Sequence, residues 1–457
     1  MTARRAWEPP FIQPHRHDVS PFGRRGVDDD IQGAIAGVDI ETLIDRWGSP
    51  LFVASEGRLR ENVRRIREAF ASRYPDVVHG WSYKTNYLGA ICRILHQEGS
   101  WAEVVSAFEY EKARALGVPG PRILFNGPHK PRAILERASA EGARLHVDHL
   151  DELATIESIA RDRGTVIPVT LRLNFDTGHT EPWSRFGFNI ESGQAYEAAV
   201  RVKASPHLVL TGLHSHIGTF ILEPRAYGEQ VRRMAGFMAE LEGEGHDAIT
   251  SLDIGGGLPS RNALQGIYLP PEQAVPSIDS YAVAVCGALE RAFADRPRER
   301  WPTLIFESGR AVVDDAVSLV ASVVGTKRLP DGRRAVVLDA GVNSMLTALW
   351  YDHPVRLTRP VPGAPEETVL YGPLCMNIDV MRRQVRLPPL AVGDRLVFNP
   401  AGAYNNTQWM QFIEYRPAVA LVGEDGGHSL IRAAETLEDV CRPERMPAHL
   451  QTGDGTR

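Results

Sequence analysis

The sequence predicts an α/β plus all-β protein, a parallel (β/α)8 barrel followed by a C-terminal β domain of sandwich or barrel-like form, on three observations. Short runs rich in Val, Ile and Leu alternate with helical patterns up to about residue 310. Beyond about residue 311, closely spaced strand-like runs take over, punctuated by turn residues. Polar and glycine-rich clusters stand at the C-terminal ends of the earlier runs, the rim on which such barrels carry their sites.

Composition sets the outer bounds. The 457 residues hold 43% hydrophobic and 24% charged side chains, globular values that leave out disordered, collagen-like and coiled-coil classes. Lys and Arg number 51 against 57 Asp and Glu, a formal charge of -6 with no basic footprint for nucleic acid. Cys92, Cys286, Cys375 and Cys441 show neither paired nor metal-like spacing, which fits a reducing compartment. No stretch approaches the ~18 apolar residues of a membrane span, and no apolar signal-peptide core follows Arg4 and Arg5, so a cytoplasmic location is expected.

The elements follow in order. Residues 1–35, rich in Arg, Pro, His and Asp, read as an extension, and 36–50 as a segment contributing to the β domain. The barrel is expected over 51–310. Ser55 precedes a helix whose apolar face is Leu59, Val63, Ile66 and Phe70. Eight strand runs follow at 77–84, 101–106, 122–127, 144–148, 166–174, 208–216, 251–256 and 303–308, with room for a crossover helix between them. Eight parallel strands are the number that closes a barrel. The β domain is expected over 311–442, with runs at 317–324, 335–338, 354–357, 368–371, 395–399, 418–422 and 429–432 and turns at 330–333 and 423–427. Residues 443–457 form a tail.

The rim clusters carry the chemistry. Gly255, Gly256 and Gly257 close the seventh run and Gly309-Arg310 follows the eighth, which reads either as tight turns or as a phosphate nest of backbone N–H groups. Arg310 adds a guanidinium suited to phosphate or carboxylate. Lys84, at the end of the first run, is either a salt-bridged rim lysine or, opposite such a nest, the Schiff-base lysine of a phosphate-tethered aldehyde cofactor, pyridoxal phosphate (PLP). That chemistry needs an acid or base facing the pyridine nitrogen, and Glu307 is the candidate. His214 and His216 share a strand face; with no Cys or carboxylate cluster beside them at ligand spacing, no metal is assigned, and an imidazole stacked on a planar cofactor is preferred.

From about Gly37 to Arg442 the chain resembles the fold-type-III PLP-dependent decarboxylases, the diaminopimelate and ornithine decarboxylase family. The resemblance is carried in order by residues 43–52 (LIDRWGSPLF), 81–86 (WSYKTN), Val104-Val105-Ser106, Thr177-Gly178, Ser184-Arg185-Phe186-Gly187 and 214–219 (HSHIGT). It continues through the triple glycine, 307–310 (ESGR), 339–343 (DAGVN), Gly372-Pro373-Leu374-Cys375 with Asp379, and Gly402-Ala403-Tyr404. It implies Lys84 as the lysine that carries PLP, His216 stacked on the ring and Glu307 bonded to the pyridine nitrogen. It also implies Gly255, Gly256, Gly257, Arg310 and Tyr404 around the phosphate. Thr219 and Gly309 complete the expected cofactor-binding set. The family works as a homodimer with shared sites, so Cys375 would enter from a partner subunit and return a proton to the decarboxylated carbon.

Residues expected to bind substrate are Arg310, Tyr351, Met376, Asp379 and Tyr404. Ser308 stands where the family has Pro, and Thr219 where it has Ser. Met376 follows the cysteine where diaminopimelate enzymes have Glu and ornithine enzymes Asp. Thr347-Ala348 occupies the place of the Arg-Pro that serves the distal carboxylate of diaminopimelate. The expected activity is α-decarboxylation of an amino acid or derivative, with a distal preference other than diaminopimelate or ornithine. The alternatives are a racemase or epimerase on the same fold, which generally sets an arginine at the pyridine nitrogen, and a non-catalytic PLP-binding protein, which resembles the barrel alone.

Overall fold

The computed structural model describes residues 31–450 apart from Tyr268. Nearly all of the expected extension (1–35) and the end of the expected tail (443–457) lie outside the described residues.

Eight strands form the barrel: β1 (Val77–Ser82), β2 (Trp101–Val104), β3 (Ile123–Phe125), β4 (Arg144–Val147), β5 (Ile167–Asn174), β6 (Leu208–Ser215), β7 (Ser251–Asp253) and β8 (Thr303–Phe306). Each pairs in parallel with the next, and β8 pairs in parallel with β1, which closes the sheet on itself. The expected (β/α)8 barrel is therefore present, with every edge removed by closure. The helix before β1, Glu56–Ala71, starts where Ser55 accepts the Arg58 N–H through its side chain, and Leu59, Val63, Ile66 and Phe70 are buried against the barrel core.

The second unit is a sheet in the order Val380–Leu387, Glu366–Tyr371, Arg334–Leu338, Val317–Arg328, Leu51–Ser55, Ala418–Val422 and His428–Arg432. Arg395–Phe398 pairs with both Val317–Arg328 and Val355–Leu357. Leu51–Ser55 departs from the sequence expectation that the barrel begins at 51. Its four apolar residues are buried, and it lies between Val317–Arg328 and Ala418–Val422. A buried apolar run shows no period that would tell one sheet from the other. The helix Ile40–Trp47 packs Ile40, Leu43 and Ile44 onto the same sheet through Leu51, Val53, Val320 and Val397.

This arrangement hands the barrel's C-terminal rim a second wall. Tyr404 N–H donates to the Thr85 carbonyl at 2.8 Å and Thr407 Oγ1 to the Lys84 carbonyl at 2.8 Å. Among the described residues, no helix is long and apolar enough to cross a membrane.

Candidate active site

The first expected strand run ends early, and the reason is functional geometry. β1 stops at Ser82, and Tyr83–Thr85 forms a single 3-10 turn that carries Lys84 out of the strand. Its ammonium lies 2.5 Å from Glu103 Oε2, while the side chain keeps 39% of its surface exposed. Burial pulls the lysine's proton affinity down, but the charges of Glu103 and Glu307 outweigh it and hold the pKa above the ordinary lysine value.

Behind Lys84 the strand ends meet in a buried polar cluster. Glu103 accepts from Ser82 Oγ at 2.6 Å, and Asn126 Nδ2 donates both to Glu103 Oε1 at 3.0 Å and to Glu307 Oε1 at 2.6 Å. Glu307 Oε2 is 3.6 Å from His214 Nε2. His146, His214, Asp253 and Glu307 offer ligand-type atoms that all lie within 4.8 Å of one another, each residue buried. Burial, then Glu307's charge, pushes the Asp253 carboxyl well above the carboxylate range. Burial holds His146 and His214 neutral. A neutral Asp253 beside Glu307 avoids two adjacent anions in a dry pocket.

His216 leaves this cluster and faces the glycine turn. Its Nδ1 accepts the Gly256 N–H at 3.0 Å, and burial, followed by the Arg172 charge, keeps the ring neutral. With Nδ1 accepting, the neutral ring carries its proton on Nε2. Trp183 packs edge-on at 5.1 Å between ring centroids.

The residues fit a phosphate-bearing planar cofactor. At Gly257, φ is +95° and a Cβ would come within 2.4 Å of the Gly218 carbonyl oxygen; at Gly309 a Cβ would meet Thr85 Oγ1 at 2.1 Å. Arg310 is buried, yet its Nε and Nη1 have no hydrogen-bond partner among the described residues. Its guanidinium lies between the rings of Tyr351 at 4.9 Å, Tyr404 at 5.0 Å and Phe220 at 5.6 Å. Tyr404 itself sits at φ +66°, a conformation that costs a non-glycine residue on the order of 1 kcal/mol or more. Arg310 Nη1 stands 3.8 Å from Asp314 Oδ2, an ion pair without a hydrogen bond, and buried donors left free of hydrogen bonds beside a glycine cradle are what an anion would satisfy. Thr219 lies exposed on the loop after β6.

The expected substrate residues divide. Tyr351 joins Arg310 in the same aromatic cage. Thr347 is buried with its hydroxyl 2.8 Å from Asn405 Oδ1 and 2.9 Å from His353 Nε2. Met376 is half-buried against its own chain's core, and Cys375 is exposed. Asp379 corrects the expectation that it binds substrate. Its two oxygens accept the N–H groups of Val342 at 2.8 Å and Leu374 at 2.7 Å, so the carboxylate holds the loop instead.

Sequence reading missed Glu103 and Asp253 and gave Asn126 no role. The signal for Glu103 is an acid in the middle of an apolar strand run (WAEVV), which a barrel must turn into its interior polar site. Asp253 carries the same signal, one residue before the glycine turn's Ile254.

Comparison with known proteins agrees with this geometry. Residues 57–314 match the family described as pyridoxal-dependent decarboxylase, pyridoxal binding domain. The chain is 32% identical to the diaminopimelate decarboxylase of Methanothermobacter thermautotrophicus, over 91% of this chain and 96% of that one. The Methanocaldococcus jannaschii enzyme of the same name is 30% identical over 91% and 95%. The crystal structure of diaminopimelate decarboxylase from M. jannaschii with L-lysine superimposes with a TM-score of 0.83 at 29% identity, covering 91% of this chain and 96% of that one. A Vibrio vulnificus lysine/ornithine decarboxylase complexed with putrescine gives 0.71 at 25% identity, covering 84% and 96%.

Proposed function

The chain belongs to the pyridoxal-dependent decarboxylases, carboxy-lyases that use PLP and act on amino acids, and from that premise we propose that it removes the α-carboxylate of an amino acid whose distal group is neutral. When bound, PLP supplies the electron sink that receives the pair released by the breaking carbon–carboxylate bond. Lys84 carries the cofactor. Glu307 would hold a proton toward the pyridine nitrogen, and His216 would lie against the ring. Gly255, Gly256, Gly257, Gly309 and Arg310 receive the phosphate, with Thr219 at the edge of that site and Tyr404 against Arg310.

The carrying observation is Glu307, a buried carboxylate held by Asn126 at 2.6 Å on the barrel floor, where a racemase of this fold would set an arginine. An acid there keeps the ring nitrogen protonated and the electron sink strong. Cys375, exposed on the loop that Asp379 pins, would act in the site of a second copy, alongside exposed Ile378. The working unit under this reading is a cytoplasmic homodimer with shared sites.

The distal preference rests on three side chains. The Thr347 hydroxyl is taken by Asn405 and His353, and the Asp379 oxygens by backbone N–H groups. Met376 offers a thioether where an ammonium would need a carboxylate. Burying an ammonium without that partner costs on the order of several kcal/mol. The similarity to diaminopimelate decarboxylases supports a second reading, in which diaminopimelate itself is the substrate and its distal charges find other partners. Carbon dioxide release decides between them, with kcat/KM compared for meso-diaminopimelate, lysine, ornithine and neutral side-chain analogues. Efficient turnover of any of the first three overturns the neutral-group reading; no release from any amino acid, including N-acylated, amide-extended and carrier-linked ones, overturns the activity.

A further inference from the structure

Asn126 lies at the end of β3, buried, with its N–H bonded to the Val104 carbonyl. Its amide nitrogen has two hydrogens and spends one on each of two carboxylates, Glu103 Oε1 at 3.0 Å and Glu307 Oε1 at 2.6 Å. The opposite orientation of the amide would bring three oxygens together, so this one is fixed by charge. Its Oδ1 is buried without a partner among the described residues. Glu103 meanwhile holds the Lys84 ammonium through its other oxygen, at 2.5 Å. One neutral side chain thus joins the counter-ion of the reactive lysine to the acid across the floor.

We propose that Asn126 is a positioning residue that couples the Lys84–Glu103 pair to Glu307, so that the proton state at the lysine's nitrogen responds to the charge held at the far end of the cofactor site. The inference rests on the reading of Lys84 as cofactor-bearing. It follows from the double donation. Two carboxylates in a dry pocket repel, and each accepts one N–H of the same amide. Around Lys84 the other titratable groups are Glu109, Tyr404, His214 and His216; around Glu307 they are His146, His214, Asp253 and Arg172. Burial keeps the three imidazoles neutral, and the two largest charges acting on the lysine are those of Glu103 and Glu307.

The test uses the full chain loaded with PLP and follows the pH midpoint of the bound cofactor's absorption change. Asn126→Asp replaces a double donor with a carboxylate, which donates neither hydrogen bond and adds negative charge beside Glu103. Its midpoint should rise by about one unit, a tenfold change in the proton equilibrium. Glu307→Gln should shift the parent's midpoint, and Asn126→Ala should reduce that shift by about half or more, since the bridge is gone. Midpoints within about 0.2 unit of the parent in both Asn126 variants, or an unaltered Glu307→Gln shift, overturn the coupling. Any variant that loses PLP is read through the apoprotein's Tm. An unchanged Tm supports a role directed at the site, and a Tm loss that accounts for the lost binding overturns it. A parent that takes no PLP on Lys84 overturns the underlying reading instead, so the two failures are told apart.

Discussion

At the cofactor end of the site, Lys84, Glu103, Asn126 and Glu307 come from four different strand ends and hold one another at 2.5–3.0 Å. At the distal end, Thr347, Met376 and Asp379 come from two loops of the β domain and turn their side chains back into their own chain. The first region spends its polar groups on a site. The second spends them on loop architecture. Under the proposed reading, the difference teaches that the reaction and its substrate are specified by separate parts of this chain, and that the distal loops can change without disturbing the barrel floor.

The sharpest way to break that separation is at Lys84. Lys84→Ala should abolish cofactor attachment and lower kcat on the order of 10³-fold or more. Borohydride reduction of the loaded protein followed by peptide mapping should mark Lys84, and a mark on another lysine would place the cofactor elsewhere. Next in size is Glu307→Gln. It should keep PLP bound, because the phosphate donors are untouched, yet reduce turnover on the order of 10²-fold. Unchanged turnover would show that the electron sink does not depend on this acid.

The cofactor end was also the more legible in sequence. Barrel closure brings the C-terminal ends of all strands to one rim, so Lys84, His216, Gly257, Glu307 and Arg310 could be assigned to a common mouth from strand runs alone. Leu51–Ser55 went astray because a buried apolar run carries no mark of which sheet it joins. Asp379 went astray for a different reason: an acid near a catalytic motif reads the same whether it faces a ligand or the N–H groups of Val342 and Leu374. Asn126 falls within the third strand run, 122–127, but its role depends on two carboxylates 23 and 181 positions away. Pairings at that sequence separation leave no local pattern.

A third measurement asks whether the distal region acts within its own chain at all. Cys375 is exposed, so mixing Cys375→Ala subunits with Lys84→Ala subunits should restore activity if the cysteine serves a partner's site. Random exchange into symmetric dimers would leave about a quarter of the sites with both groups present. Exchange without recovery would return the distal loop to its own barrel and undo the shared-site reading.

The smallest expected effect is the most specific to the distal region. Met376→Glu offers a carboxylate at the position that follows the cysteine, without the overpacking that Thr347→Arg would force on a buried site already filled by Asn405 and His353. Met376 is half-buried, so the new carboxylate keeps partial solvation and its pairing with a substrate ammonium should be worth about 1–2 kcal/mol. That corresponds to roughly a tenfold rise in kcat/KM for lysine or ornithine, set against a fall for neutral analogues. Diaminopimelate should gain less, because its distal carboxylate would meet the added charge. A gain for lysine with no loss for neutral analogues would mean that Met376 borders the pocket without filling it. If all substrates stay unchanged, the distal group is read by other residues, and the contrast between the two ends of the site must be redrawn around them.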